Sequence, residues 1–219
     1  MQKLVDNVVS ASLSNNSGSS EIISKAYGDL VLLTNPALEA ARVEVLNRRL
    51  GVVEGFNSCQ PLVMAAFTSE KDEALSDTFP KGQSIFFGDD KKIADADGYK
   101  KLVLSSYGNA EEFRTHNLNC DACSYSEEPE FLTRDQYVSA FKGWNDFRSS
   151  EKSTFTVDDM HLSHHPGSKI KPGSPIINVY VNGGNVIANH NAIWGGEFSK
   201  FARALIGMEF AKQNKCINP

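Results

Sequence analysis

The sequence predicts an α/β fold with a parallel sheet covered on both faces by helices. Three observations carry this. Asp29 to Thr34, Pro61 to Thr68 and Ile176 to Val181 are short, nearly continuous apolar runs, the pattern of strands buried on both sides. Patterns of helical period follow the first and the last of these runs. A long, less regular section separates the second run from the third.

Taken in order, Leu4, Val5, Val8 and Val9 recur at helical spacing, so the first dozen residues are expected to be helical. Ser12 to Ser20 reads as a loop. After the first strand, Asn35-Pro36 starts a helix from Ala37 to about Leu50, rich in Ala, Leu, Glu and Arg. The second strand ends in the acidic loop Ser69-Glu70-Lys71-Asp72-Glu73. Phe79-Pro80-Lys81-Gly82 reads as a turn, and Lys91 to Val103 as partly helical. Thr133 opens a helix to about Phe147, with Tyr137, Phe141 and Trp144 on one face. Thr154 to Val157 is a candidate short strand, and Asp158 to Gly173 reads as a polar loop holding His161, His164 and His165. After the third strand come the turn formers Asn182 to Asn185, a short extended stretch, His190, and an amphipathic helix from Glu197 to about Asn214. The whole is expected to be one domain, with residues 79–170 an insertion or lid-like region.

Composition narrows the function. A net charge of −5 gives no general nucleic-acid-binding surface. No apolar run is long enough to span a bilayer, and no signal-peptide core directs the chain out of the cytoplasm. Cys120 and Cys123 form a lone Cys-x-x-Cys without the second pair that a zinc ribbon needs, so the cysteines read as incidental thiols. No metal and no cofactor are expected.

In a parallel sheet the C-terminal strand ends share one edge, where ligands bind. That edge is expected to gather Asn35, the loop Thr68 to Glu73 and the loop Ala188 to Trp194. An acid after one strand and a histidine after the next is the order required for a hydrolytic triad: the acid orients the imidazole, which takes the nucleophile's proton. Asp72 or Glu70 is the candidate acid and His190 the candidate base.

Four segments, in order, resemble the C-terminal half of the α/β-hydrolase group of esterase/lipase-like serine hydrolases. Asp29-Leu-Val-Leu-Leu-Thr-Asn-Pro-Ala is similar to the strand and helix after the nucleophile helix. Pro61-Leu-Val-Met-Ala-Ala-Phe-Thr-Ser-Glu-Lys-Asp is similar to the acid-bearing strand. Gly108-Asn-Ala-Glu-Glu-Phe-Arg-Thr-His is similar to an insert, and Val186-Ile-Ala-Asn-His-Asn-Ala-Ile-Trp to the histidine loop. The resemblance implies a partial α/β-hydrolase-like sheet and action on an ester, with a lipid-like substrate if the aromatic insert forms a lid. Asn35 and Trp194 of the sheet edge and His116 of the insert are the candidate substrate contacts, with structural packing near the site mouth the other reading of His116. The sequence departs from the group in one respect: it contains no Gly-x-Ser-x-Gly nucleophile turn. The expectation is therefore a chain with acid and base but no nucleophile, inactive alone. The alternative is a non-catalytic module that pairs with another chain through an exposed sheet edge.

Overall fold

The computed structural model describes residues 30–53, 55–56, 59–87, 97–126, 128, 131–149, 151–183, 185–193 and 195–217. The expected N-terminal helix and Trp194 lie outside these. Six strands form one sheet in the order β1-β2-β6-β3-β5-β4. They are β1 (Val31–Thr34), β2 (Met64–Ser69), β3 (His116–Cys120), β4 (Thr154–Val157), β5 (Met160–His164) and β6 (Ile176–Val181). β1, β2, β6 and β3 run parallel, while β5 and β4 add an antiparallel hairpin beyond β3. The fold is α/β, with a mixed sheet in place of the purely parallel one expected.

Side-chain alternation assigns the two faces. Ala65 and Phe67 of β2, with Ile177, Val179 and Val181 of β6, pack under α4 (Arg134–Arg148) and α5 (Gly196–Ile217). Met64, Ala66 and Ile176 point the other way, toward α1 (Ala40–Gly51) and α3 (Asp97–Leu104). A strand whose residues are apolar at both parities must be covered twice, which is why β2 is buried along its whole length. The first face is the more aromatic. Trp144, Phe147, Phe155, Phe67, Phe198 and Phe201 meet in tilted or edge-on pairs 5.1 to 6.2 Å between centroids. Each such contact adds about 0.5–1.5 kcal/mol beyond area burial.

Local chemistry sets the element ends. Thr133 caps α4 through its side chain and Gln136 reciprocates, a complete capping box. α1 starts three residues later than the sequence predicts. Asn35 adopts a left-handed backbone with φ 47°, and Glu39 bridges to Ser106 before the helix begins. The turn expected at Phe79-Pro80-Lys81-Gly82 is instead the start of α2 (Phe79–Phe87), which continues a π-helical turn at Ala74–Thr78. Pro80 therefore lies inside a continuous helical run, directly after the π-helical turn, and not at the start of a helix.

One stretch given no element from sequence and one expected loop hold strands. Gly108 to Leu118 holds a 3₁₀ turn at Glu111–Phe113 and then β3, and the histidine-bearing loop holds β5. Residues 79–170 therefore supply β3, β4 and β5 to the same sheet, and α4 to its core. The cysteines also differ from expectation. A tight turn after β3 brings Cys120 and Cys123 to a Cα separation of 5.6 Å and they form a disulfide, and Cys59 is disulfide-bonded as well. Among the described residues no helix is long and apolar enough to cross a membrane.

Candidate functional site

β2 and β6 are parallel neighbours in a register that pairs Ser69 with Val181, so both strands end at one level and their following loops start side by side. The first loop turns back at once. The Asp72 amide donates to the Ser69 carbonyl at 3.2 Å, and Asp72 Oδ1 accepts from the Leu75 amide at 3.1 Å. This is a helix-start cap, and it fixes the carboxylate plane. The remaining oxygen, Oδ2, accepts a hydrogen bond from His190 Nδ1 at 2.7 Å.

The histidine loop is anchored on either side of His190. Val186 and Ile187 are fully buried in the aromatic face. Asn189 Oδ1 accepts from the amides of Asn191 and Ala192 at 2.9 and 3.0 Å, a local turn that sets the backbone at His190. The pair is asymmetric in exposure: the Asp72 side chain is 0% accessible and that of His190 43%. A cavity of about 500 Å³ opens beside the imidazole, lined by Lys71, Glu73, Ala74, Ala188, Asn189, His190 and Asn191.

The other candidates fall elsewhere. Glu70 does not take the acid's place; its Oε1 accepts from the Gly183 amide at 2.9 Å. It follows Ser69 directly and so points along the sheet edge, whereas Asp72 has been folded back over it. Asn35 lies at this edge but is only 4% exposed, with its amide engaged in the protein, so it offers no open surface to a substrate.

His116 is not at the site mouth. It sits on β3, on the far side of β6 from β2, and its side chain enters the core, with rings of His164 and Phe147 at 4.7 and 5.5 Å. Burial, reinforced by His164 and Arg148, holds its pKa well below that of free histidine. Among the described residues no group of three or more His, Cys, Asp or Glu is placed to hold a metal ion.

An imidazole whose Nδ1 is held by a buried carboxylate keeps a fixed tautomer and ring plane, and proton transfer then falls to Nε2. Such an arrangement is chemically capable of general acid–base catalysis. Two residues that sequence reasoning did not single out, Lys71 and Glu73, line the cavity with charge. Their one signal was proximity to the acid. Compared with known proteins, the chain matches no family model, no curated protein and no solved structure.

Proposed function

We propose that this chain carries the acid–base half of a serine-type ester hydrolase, with Asp72 the acid and His190 the base. The 2.7 Å contact between His190 Nδ1 and the wholly buried Asp72 carboxylate carries the reading. In such a reaction Nε2 takes the proton of an attacking hydroxyl and returns it to the leaving alcohol, while Asp72 stabilises the imidazolium between the two steps. The sequence supplies no Gly-x-Ser-x-Gly, and the hydroxyl nearest the dyad in sequence, Ser69 Oγ, is committed to the Ile187 carbonyl at 2.7 Å. On this reading the nucleophile lies outside this sequence. β1 is an edge strand among the described residues, and a strand added there in parallel would end at the same edge as the dyad.

The lining also bears on the substrate. The base lies on the leaving-group side of an acyl transfer. Lys71, Glu73, Asn189 and Asn191 beside it suit an ester of a polar alcohol better than a lipid tail. The disulfides favour an oxidising compartment over the cytoplasm expected from sequence.

The test is turnover of a short-chain activated ester by the purified chain, beside His190→Ala. No histidine-dependent turnover is expected without a nucleophile-bearing partner. Histidine-dependent turnover by the chain alone would overturn the assignment of the nucleophile elsewhere.

A further inference from the structure

Two buried polar side chains at the C-terminal edge of the sheet tie together the three segments on which the dyad depends. Asn35 follows β1, is 4% exposed and holds a positive φ of 47°. Its Oδ1 accepts from the Ser69 amide at 3.0 Å, and its Nδ2 donates to the Asn189 carbonyl at 3.4 Å. Ser69, 2% exposed, ends β2. Its hydroxyl donates to the Ile187 carbonyl at 2.7 Å and accepts from the Lys71 amide at 3.1 Å.

The acid loop is thus gripped at 69 and 71, on one side of Asp72. The histidine loop is gripped at 187 and 189, on one side of His190. Each grip passes through one of these two side chains. The backbone ladder alone does not supply this, because the β2–β6 pairing stops at Ser69 and Val181 and continues only through the Glu70 amide to the Val181 carbonyl at 3.0 Å.

We infer that Asn35 and Ser69 are positioning residues that set the histidine loop against the acid loop and so fix the Asp72–His190 hydrogen bond. The inference rests on the acid–base reading above. The physical reason is one of tolerance. A half-exposed imidazole on the long connection between β6 and α5 must be held to within about 0.5 Å for proton transfer to be efficient. Its own turn fixes only local geometry. The backbone strain at Asn35 has an explanation in the same terms. A left-handed conformation, which asparagine tolerates better than most residues, turns the chain so that one amide reaches both loops.

The experiment is proton NMR of the whole chain at low temperature, following the downfield resonance of the proton shared by His190 Nδ1 and Asp72. Four proteins are compared: wild type, Asp72→Asn, Ser69→Ala and Asn35→Gly. Glycine removes the Asn35 amide while accepting the positive φ, so backbone strain is not confounded with lost hydrogen bonds.

The resonance is expected in wild type and lost in Asp72→Asn. In Ser69→Ala and Asn35→Gly it is expected to be lost or broadened by exchange, while the amide spectrum of the aromatic core is unchanged. A resonance unaltered in both clamp variants overturns the positioning role and leaves the dyad standing. Its absence from wild type, or its persistence in Asp72→Asn, overturns the dyad reading itself. If one clamp variant fails to fold, the other decides.

Discussion

Asp72 presents two oxygens to two different tasks: Oδ1 caps the backbone at Leu75 at 3.1 Å, and Oδ2 holds His190 Nδ1 at 2.7 Å. The two tasks separate by substitution. Asparagine keeps an acceptor for the cap but loses the charge, whereas alanine loses both. Asp72→Ala is expected to lower unfolding free energy by about 1–3 kcal/mol, through the lost cap and the unpartnered loop. Asp72→Asn is expected to cost less than half of that. Equal losses in urea titrations would show that the cap contributes nothing. In a complex completed by a nucleophile, Asp72→Asn is expected to reduce turnover by about 10⁴-fold, as loss of the orienting carboxylate does in serine triads.

At the opposite end of the sheet lies a second buried ionic group, which is structural. Glu209, 1% exposed, accepts from Trp144 Nε1 at 2.7 Å and from the Leu62 amide at 2.8 Å. Arg148 Nε lies 3.9 Å from it, and the same guanidinium donates to the carbonyls of Gln60, Gly173 and Ser174. Lys212 joins through the Gln60 carbonyl at 3.1 Å, its pKa brought down to about 8 by burial and by Arg148, against the raising effect of Glu209. Removing the one anion leaves two cations facing each other in the interior. Glu209→Gln is expected to destabilise by about 3–5 kcal/mol, the range for breaking a buried pair. A loss under 1 kcal/mol in equilibrium denaturation would show that the cations relax into solvent.

The sequence made β2, β6 and their two loops legible for a physical reason. Strands buried on both faces must be apolar throughout, and Leu62 to Phe67 and Ile176 to Val181 satisfy that with one polar exception, Asn178. The placement of acid and histidine then follows from parallel adjacency. β3 and β5 were illegible because their inward positions include histidines. His116-Asn-Leu-Asn-Cys and Met160-His-Leu-Ser-His do alternate, but the alternation is carried by imidazoles that read as polar and pack as aromatic rings. The choice of Asp72 over Glu70 was equally hidden, since it depends on the Asp72 amide turning back to Ser69, a hydrogen bond that composition does not encode. Pro80 read as a turn residue because nothing in the residues ahead of it marks the π-helical turn through which the helix runs.

Gly108 connects the packing of the insert to the site. A Cβ built there would overlap the buried Thr68 side chain, one residue before Ser69. Thr68 lies in a fully buried strand and has no room to retreat. Gly108→Ala is expected to cost about 1–3 kcal/mol as overpacking, and to disturb Ser69 with it. Adding Thr68→Ala should recover part of the loss. Additive penalties in the double mutant would show that the two positions do not press on each other.

His116 and His164 stand directly opposite across β3 and β5, rings 4.7 Å apart, with Phe147 stacked on His164 at 4.4 Å. Burial depresses both pKa values, and Arg148 adds to the effect in each case; His164 lowers His116 further, and a backbone hydrogen bond at Phe147 partly offsets the shift at His164. The folded state therefore binds fewer protons than the unfolded state wherever free imidazole is charged. By linkage, stability is fully present above the free-histidine pKa of about 6.5 and falls as pH drops below it, until the folded-state values are passed. Denaturant midpoints are expected to decline from pH 6.5 to 5. Replacing the pair by His116→Phe with His164→Leu is expected to flatten that decline, because ring stacking is retained at one position and no proton is taken up at either. An unchanged slope in the double variant would place the acid sensitivity elsewhere.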